Sequence, residues 1–195
     1  MLLLLLGLIL FLGVHSVRIV ADGWRARVVA ARGPGAWKGA YSLASIAGFA
    51  LICIGFGQAR LAPVVLWSPP RWTHDLAGLL TLAAFVLVTA AYVPGNAVKA
   101  RLKDPMILGV KTWALAHLVA NGTLADVILF GSFLAWAVLD FRAVRRRRAA
   151  GLEAAPSTPV SGARTAVAIG VGVVAWAAFA FWLHRALIGV APFGV

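Results

Sequence analysis

The sequence predicts an all-α fold, a polytopic transmembrane helix bundle of about six helices built as a single domain over residues 1–195. Three observations predict it. Hydrophobic residues fill 62% of the positions and the mean hydropathy is +0.93, which is too apolar for a chain whose surface is mostly wetted. Charged residues make up only 12% and cluster between apolar runs long enough to cross a hydrocarbon layer of roughly 30 Å. The basic residues fall on alternate loops, as the positive-inside rule requires of a multi-pass protein.

The first run, Leu2 to Val20, has no basic segment ahead of it and carries its positive charges behind it, so it reads as a retained helix rather than a signal peptide. Further runs go from about Tyr41 to Gly57, Leu76 to Val93, Pro105 to Ala120, Leu124 to Phe141 and Thr165 to Ile188. The fourth is the weakest because Lys111 interrupts it; without it the count is five. With six spans, the first, third and fifth loops share one side and hold 14 of the 18 lysines and arginines. That side is read as cytoplasmic, with both termini periplasmic and the protein placed in a bacterial inner membrane.

Between the runs, Asn121-Gly122 predicts a tight hairpin, on the ground that both residues tolerate turn dihedrals. Gln58 to Trp72 is apolar but interrupted by Pro63, Pro69 and Pro70, so it is expected along the outer interface with Trp67 and Trp72 at headgroup level. Residues 149–163, with Pro156, Ser157, Thr158 and Pro159, read as a flexible cytoplasmic linker. No internal repeat is visible, which weighs against a transporter made of duplicated halves.

The net charge of +12 invites a nucleic-acid reading, but Arg145 to Arg148 follow an apolar helix directly and are explained as an anchor facing anionic lipid. No nucleic-acid partner is expected. Cys53 is the only cysteine, so no intramolecular disulfide is available, and it is expected to serve packing. Gly-rich phosphate loops, HExxH, paired-cysteine zinc patterns and GxSxG elbows are all absent, which excludes a soluble-type hydrolase or ATPase.

Ionisable residues inside apolar spans cost several kcal/mol unless paired or ligating, which makes them the functional candidates. They are His15, Arg18 and Asp22, with Arg18 and Asp22 spaced to pair; His74 and Asp75; His117 with Asn121; Asp126; and His184. Trp113, His117 and Asn121 share one helical face and Lys111 points elsewhere. A lone intramembrane histidine ordinarily hydrogen-bonds a neighbouring helix, whereas two on different helices suit bis-imidazole ligation of a haem. On helix spacing alone His15 and His117 differ in depth by roughly 12 Å, while two axial nitrogens on one iron stand about 4 Å apart. Spacing places His74, His117 and His184 in the same outer half, so His117 with His74 or His184 is a rival ligand pair.

Several segments carry a resemblance. Leu12-Gly13-Val14-His15-Ser16, Tyr92-Val93-Pro94-Gly95, Asp104-Pro105-Met106-Ile107-Leu108-Gly109, Trp113 to Gly122 and the ending His184 to Phe193 together resemble the NnrU family, nearly end to end. That family is associated with bacterial denitrification and has a plant relative, zeta-carotene isomerase, which is a haem b enzyme. The resemblance implies haem b held by His15, in a Val-His-Ser motif, and His117, in an Ala-His motif. Where the plant relative has Arg-His-Pro, this chain has Lys103-Asp104-Pro105, and its exchangeable cysteine ligand corresponds to Ala114. The resemblance therefore implies the haem pocket more strongly than isomerase activity.

The functional expectation is a haem-b membrane protein of nitrite or nitric oxide metabolism, or of cis–trans isomerisation of a polyene lipid. Its expected partners are membrane lipid, an electron donor or respiratory complex, and an apolar or gaseous small molecule. The alternatives are a non-enzymatic accessory protein of a membrane complex and a small transporter using Asp126, His117 and Lys111.

Overall fold

Apolar helices stay together in lipid by close packing, so small residues mark where two backbones meet. In the computed structural model, which describes residues 1–152 and 158–193, helix α1 (Leu2–Val20) lies against α2 (Asp22–Ala59) along such a seam. A Cβ on Gly55 would stand 2.2 Å from the Leu4 backbone nitrogen, and one on Gly48 would stand 2.7 Å from that of Phe11. Only glycine permits this approach.

The remaining elements are α3 (Trp72–Tyr92), the short α4 (Ala97–Leu102), α5 (Pro105–Ala120), α6 (Leu124–Ala149) and α7 (Gly162–Ala178). A π-turn at Phe179–Leu183 carries α7 on into α8 (His184–Ile188). α1, α2 and α6 pack together, α3 packs on α5 and α7, and contact between α5 and α6 joins the two groups. Among the described residues, five helical stretches are long and apolar enough to cross a membrane, and α5, with 16 residues, is a shorter apolar helix. Ile9, Leu43, Ile46, Leu79, Val174 and Trp182 are all more than half exposed, a surface suited to lipid.

The basic loop regions gather at one end of the bundle. The Arg147 guanidinium there donates to the Arg18 carbonyl at 3.2 Å, and Arg148 grips Asp104. At the opposite end the Arg60 guanidinium donates to the Ile188 carbonyl.

Three expectations are corrected by this architecture. The region ahead of Tyr41 is not a loop: α2 begins at Asp22 and is broken only at Gly33, whose φ of 82° precedes Pro34. α6 does not stop at Phe141 but continues through the arginine run to Ala149. Cys53 is exposed on the outside of α2 rather than packed. Of the expected linker, residues 153–157 lie outside the described residues, and α7 begins at Gly162.

The α5–α6 hairpin is present, but for a different reason from the one expected. Asn121 is extended and Gly122 has no positive φ. Instead, the segment between α2 and α3 crosses over the turn. Leu66 donates to the Gly122 carbonyl at 2.8 Å, Leu124 donates to that of Val64 at 2.9 Å, and a Cβ on Gly122 would fall 2.0 Å from the Trp67 carbonyl oxygen.

Candidate functional site

At the end of the bundle away from the arginines, α3, α5 and the α7–α8 unit enclose a cavity of about 240 Å³ within a cleft of about 940 Å³ that opens outward. His74 enters it from the first turn of α3, His117 from the last turn of α5, and His184 from the start of α8. Trp113 and Asn121 line it beside His117, as their shared helical face predicts. The remaining walls are mostly aromatic or small: Phe85, Trp176, Phe179 and Phe193, with Ala77, Gly78 and Ala180.

Local backbone events bring His184 here. The π-turn inserts one residue into the helix and so rotates everything after it by about 100° relative to an uninterrupted α-helix. Gly189 then turns the chain in the left-handed conformation, with φ at 79°, and His184 Nδ1 donates to the Val190 carbonyl at 2.7 Å. That bond folds the tail back, and Phe193 caps the cavity over Gly78, where a Cβ would come 2.6 Å from its ring. The Trp176 indole donates to Thr81 Oγ1 at 3.1 Å and ties α7 to α3.

The imidazoles are held in a consistent way. His117 Nδ1 donates to the Trp113 carbonyl at 2.9 Å, and its ring stacks on Phe130 with centroids 4.5 Å apart. Because a carbonyl only accepts, Nδ1 carries the proton in both His117 and His184, and Nε2 keeps its lone pair. A histidine fixed in this way is prepared to ligate through Nε2. His74 is exposed at the cavity mouth. Among the described residues no three His, Cys, Asp or Glu side chains converge as a site for a bare metal ion.

His15 lies elsewhere. It lines a second cavity of about 400 Å³ at the basic end, between α1 and α2, with its Nδ1 donating to the Phe11 carbonyl at 2.7 Å. A row of rings stands between it and His117: His15 on Phe11 at 4.2 Å, Phe11 on Phe133 at 5.8 Å, Phe133 on Trp113 at 5.5 Å, and Trp113 on His117 at 5.1 Å. The structure thus brings together His74, His117 and His184, and does not bring His15 to His117.

Other candidate residues have structural work. Asp126, 7% exposed, completes a capping box: it accepts from the Thr123 hydroxyl at 2.6 Å and from the Thr123 backbone nitrogen at 3.1 Å. Lys111 sets its ammonium 4.7 Å from the centre of the Phe141 ring, toward the basic end. Lys111 precedes the end of α5 by nine residues and Asp126 follows the start of α6 by two, so the two are roughly 10 Å apart in depth. Arg18 and Asp22 do approach, at 3.7 Å, although the helix breaks between them at Ala21. Ala114 is fully buried in the core with Leu4, Leu8 and Leu129 and does not line the histidine cavity.

Sequence reasoning misses the aromatic walls and Gly78. In the sequence they are indistinguishable from lipid-facing residues, and only the π-turn and the Gly189 turn assemble them.

No curated protein and no solved structure matches this chain. A family model described as NnrU protein matches residues 3–192, all but the outermost residues of the 195. With the all-helical bundle and the motif segments in place along it, the chain belongs to the NnrU family.

Proposed function

We propose that this protein binds haem b in the histidine-lined cavity, where His117 and His184 would hold it. The observation that carries the reading is that two imidazoles from different helices line one apolar cavity, each with Nδ1 tied to a backbone carbonyl and Nε2 left to ligate. The donor set and the aromatic walls suit a flat apolar macrocycle. Taken from the family, the ligand pair would be His15 with His117; the ring row between them favours His184 in place of His15.

Bound there, haem b would supply one-electron chemistry or a coordination position for a small molecule. This chain's residues would exclude water with Phe85, Trp176 and Phe193, hold the His117 ring against Phe130, and orient the His184 ring through its bond to the Val190 carbonyl. An apolar or gaseous substrate, nitric oxide or a polyene lipid, would enter from the lipid side. Electrons would come from a partner in the membrane or docked at its surface.

The test is the optical spectrum, oxidised and dithionite-reduced, of detergent-purified protein beside His117→Ala, His184→Ala and His15→Ala variants. The reading expects sharp reduced α and β bands that are lost or shifted in the first two variants and kept in the third. Loss in His15→Ala with no change in His184→Ala would return ligation to His15 and His117. A colourless protein from haem-replete cells would overturn haem binding altogether.

A further inference from the structure

The cavity at the basic end has a composition unlike that of the histidine cavity. Arg18, Arg25 and Lys38 line it together with His15, Tyr41 and Ser42, over an apolar floor that includes Trp37. Gly33 and Pro34 create it. By breaking α2 they fold its first arm, bearing Arg25, back across the second, bearing Lys38 and Tyr41.

Its charge is not balanced from within. Asp22 stands 3.7 Å from both Arg18 and Arg25 through the same oxygen, Oδ1, which is buried and accepts no hydrogen bond. No carboxylate pairs with Lys38 among the described residues. Asp140 of α6 acts on Tyr41 from the side but does not line the cavity. Three cations therefore line the recess against Asp22 within it and Asp140 behind Tyr41; Arg25 is partly buried and so less screened than on an open surface, while Arg18 and Lys38 stand exposed at the rim. Arg25 is further held over the Trp37 ring at 5.8 Å, which fixes its position.

We propose that this cavity is a binding site for a phosphate-bearing anion, with Arg25 and Lys38 as its principal contacts and the valine and tryptophan floor receiving whatever apolar part the ligand carries. The two sources of that chemistry are the headgroup of an anionic lipid and a free phosphate compound. The site shares no residue with the histidine cavity, and with haem held by His117 and His184 its anion binding is read out separately from the haem spectrum.

Native mass spectrometry of the full-length protein in detergent, titrated with phosphatidylglycerol or phosphatidylcholine, tests the site, with calorimetric titration of pyrophosphate as the second arm. The expected result is at least tenfold preference for the anionic lipid, reduced about fivefold by Lys38→Gln and by Arg25→Gln and unchanged by Arg101→Gln, an exposed position on α4 outside the cavity. Pyrophosphate binding at micromolar concentration that displaces the lipid would assign the site to free phosphate compounds, and its absence to the lipid headgroup. No preference between the lipids together with no pyrophosphate binding would overturn the proposal. So would equal losses in the cavity variants and in Arg101→Gln. If Lys38→Gln fails to fold, Lys38→Arg and Arg25→Lys carry the test: both keep the charge and are expected to retain the preference, and its loss in both overturns the site.

Discussion

Asp104 at the start of α5 and Arg148 near the end of α6 form a two-pronged ion pair, Nη1 to Oδ2 at 2.7 Å and Nη2 to Oδ1 at 2.8 Å, with the carboxylate side chain only 12% exposed. Bidentate guanidinium–carboxylate geometry is the strong form of this interaction. It clamps the basic ends of two helices whose other ends are already joined through Thr123. Asp104 stands where a histidine would be expected by resemblance, and its role here is to hold helices together at the end remote from the histidine cavity.

Asp104→Asn is accordingly expected to lower stability by about 1–3 kcal/mol, since it removes the carboxylate charge and one of the two bonds that Arg148 donates to it. Arg148→Gln should cost a similar amount, and the double variant less than the two together, because both remove one interaction. Thermal unfolding in detergent measures this. If a haem spectrum is present, neither variant should change it; a shifted Soret band would show that Asp104 reaches the cofactor.

Gly55→Val tests the seam between α1 and α2. With a Cβ 2.2 Å from the Leu4 backbone nitrogen, and backbone on both sides, no side-chain movement relieves the clash. The helices must separate, at a cost above the 1–3 kcal/mol or so that is usual for overpacking. Gly57→Val, two residues on and facing open space, should be nearly neutral. Equal melting temperatures for the two variants would contradict the seam.

Much of the bundle was legible because apolar runs of membrane-crossing length, separated by clusters of charge, stand out in composition alone. Leu2–Val20 is predicted to the residue, and the weak fourth run is indeed the short helix α5. What was not legible depended on backbone detail. Gly33–Pro34 reads as a loop until the helix is seen to resume beyond it, and Phe179–Leu183 reads as ordinary helix because no residue type specifies a π-turn. For the site, the sequence singled out His74, His117 and His184, which line one cavity, together with His15, which lines another; the depth offset of roughly 12 Å between His15 and His117 agrees with their separate cavities. Which histidines share a cavity depends on the turns after α7, and these leave little mark in the sequence beyond Gly189.

Gly78 offers a way to fill the outer cavity from its wall. A Cβ there meets only the far edge of the Phe193 ring, which can swing aside, so Gly78→Ala should fold normally. Gly78→Leu would extend into the space that haem is proposed to occupy. Haem content per protein is expected to fall at least tenfold in Gly78→Leu, with helicity by circular dichroism unchanged. Full haem occupancy in that variant would place the cofactor elsewhere.

The π-turn itself supplies the last prediction. Deleting Phe181, an exposed residue within it, removes the inserted position and lets α7 and α8 run on as one regular helix. The backbone gains better hydrogen bonding, so stability should hold or rise slightly. Because the turn absorbs one inserted residue, removing that residue leaves the segments on either side in the same relative phase, so His184 should still face the cavity and keep its bond to the Val190 carbonyl. Inserting an alanine after Leu183 instead would rotate His184 by about 100° away from the cavity. If His184 is a ligand, the deletion variant should keep the parent's spectrum, and the insertion variant should share that of His184→Ala while remaining as helical as the parent. A parent-like spectrum from the insertion variant would mean that the turn orients the tail for packing alone and that ligation does not pass through α8.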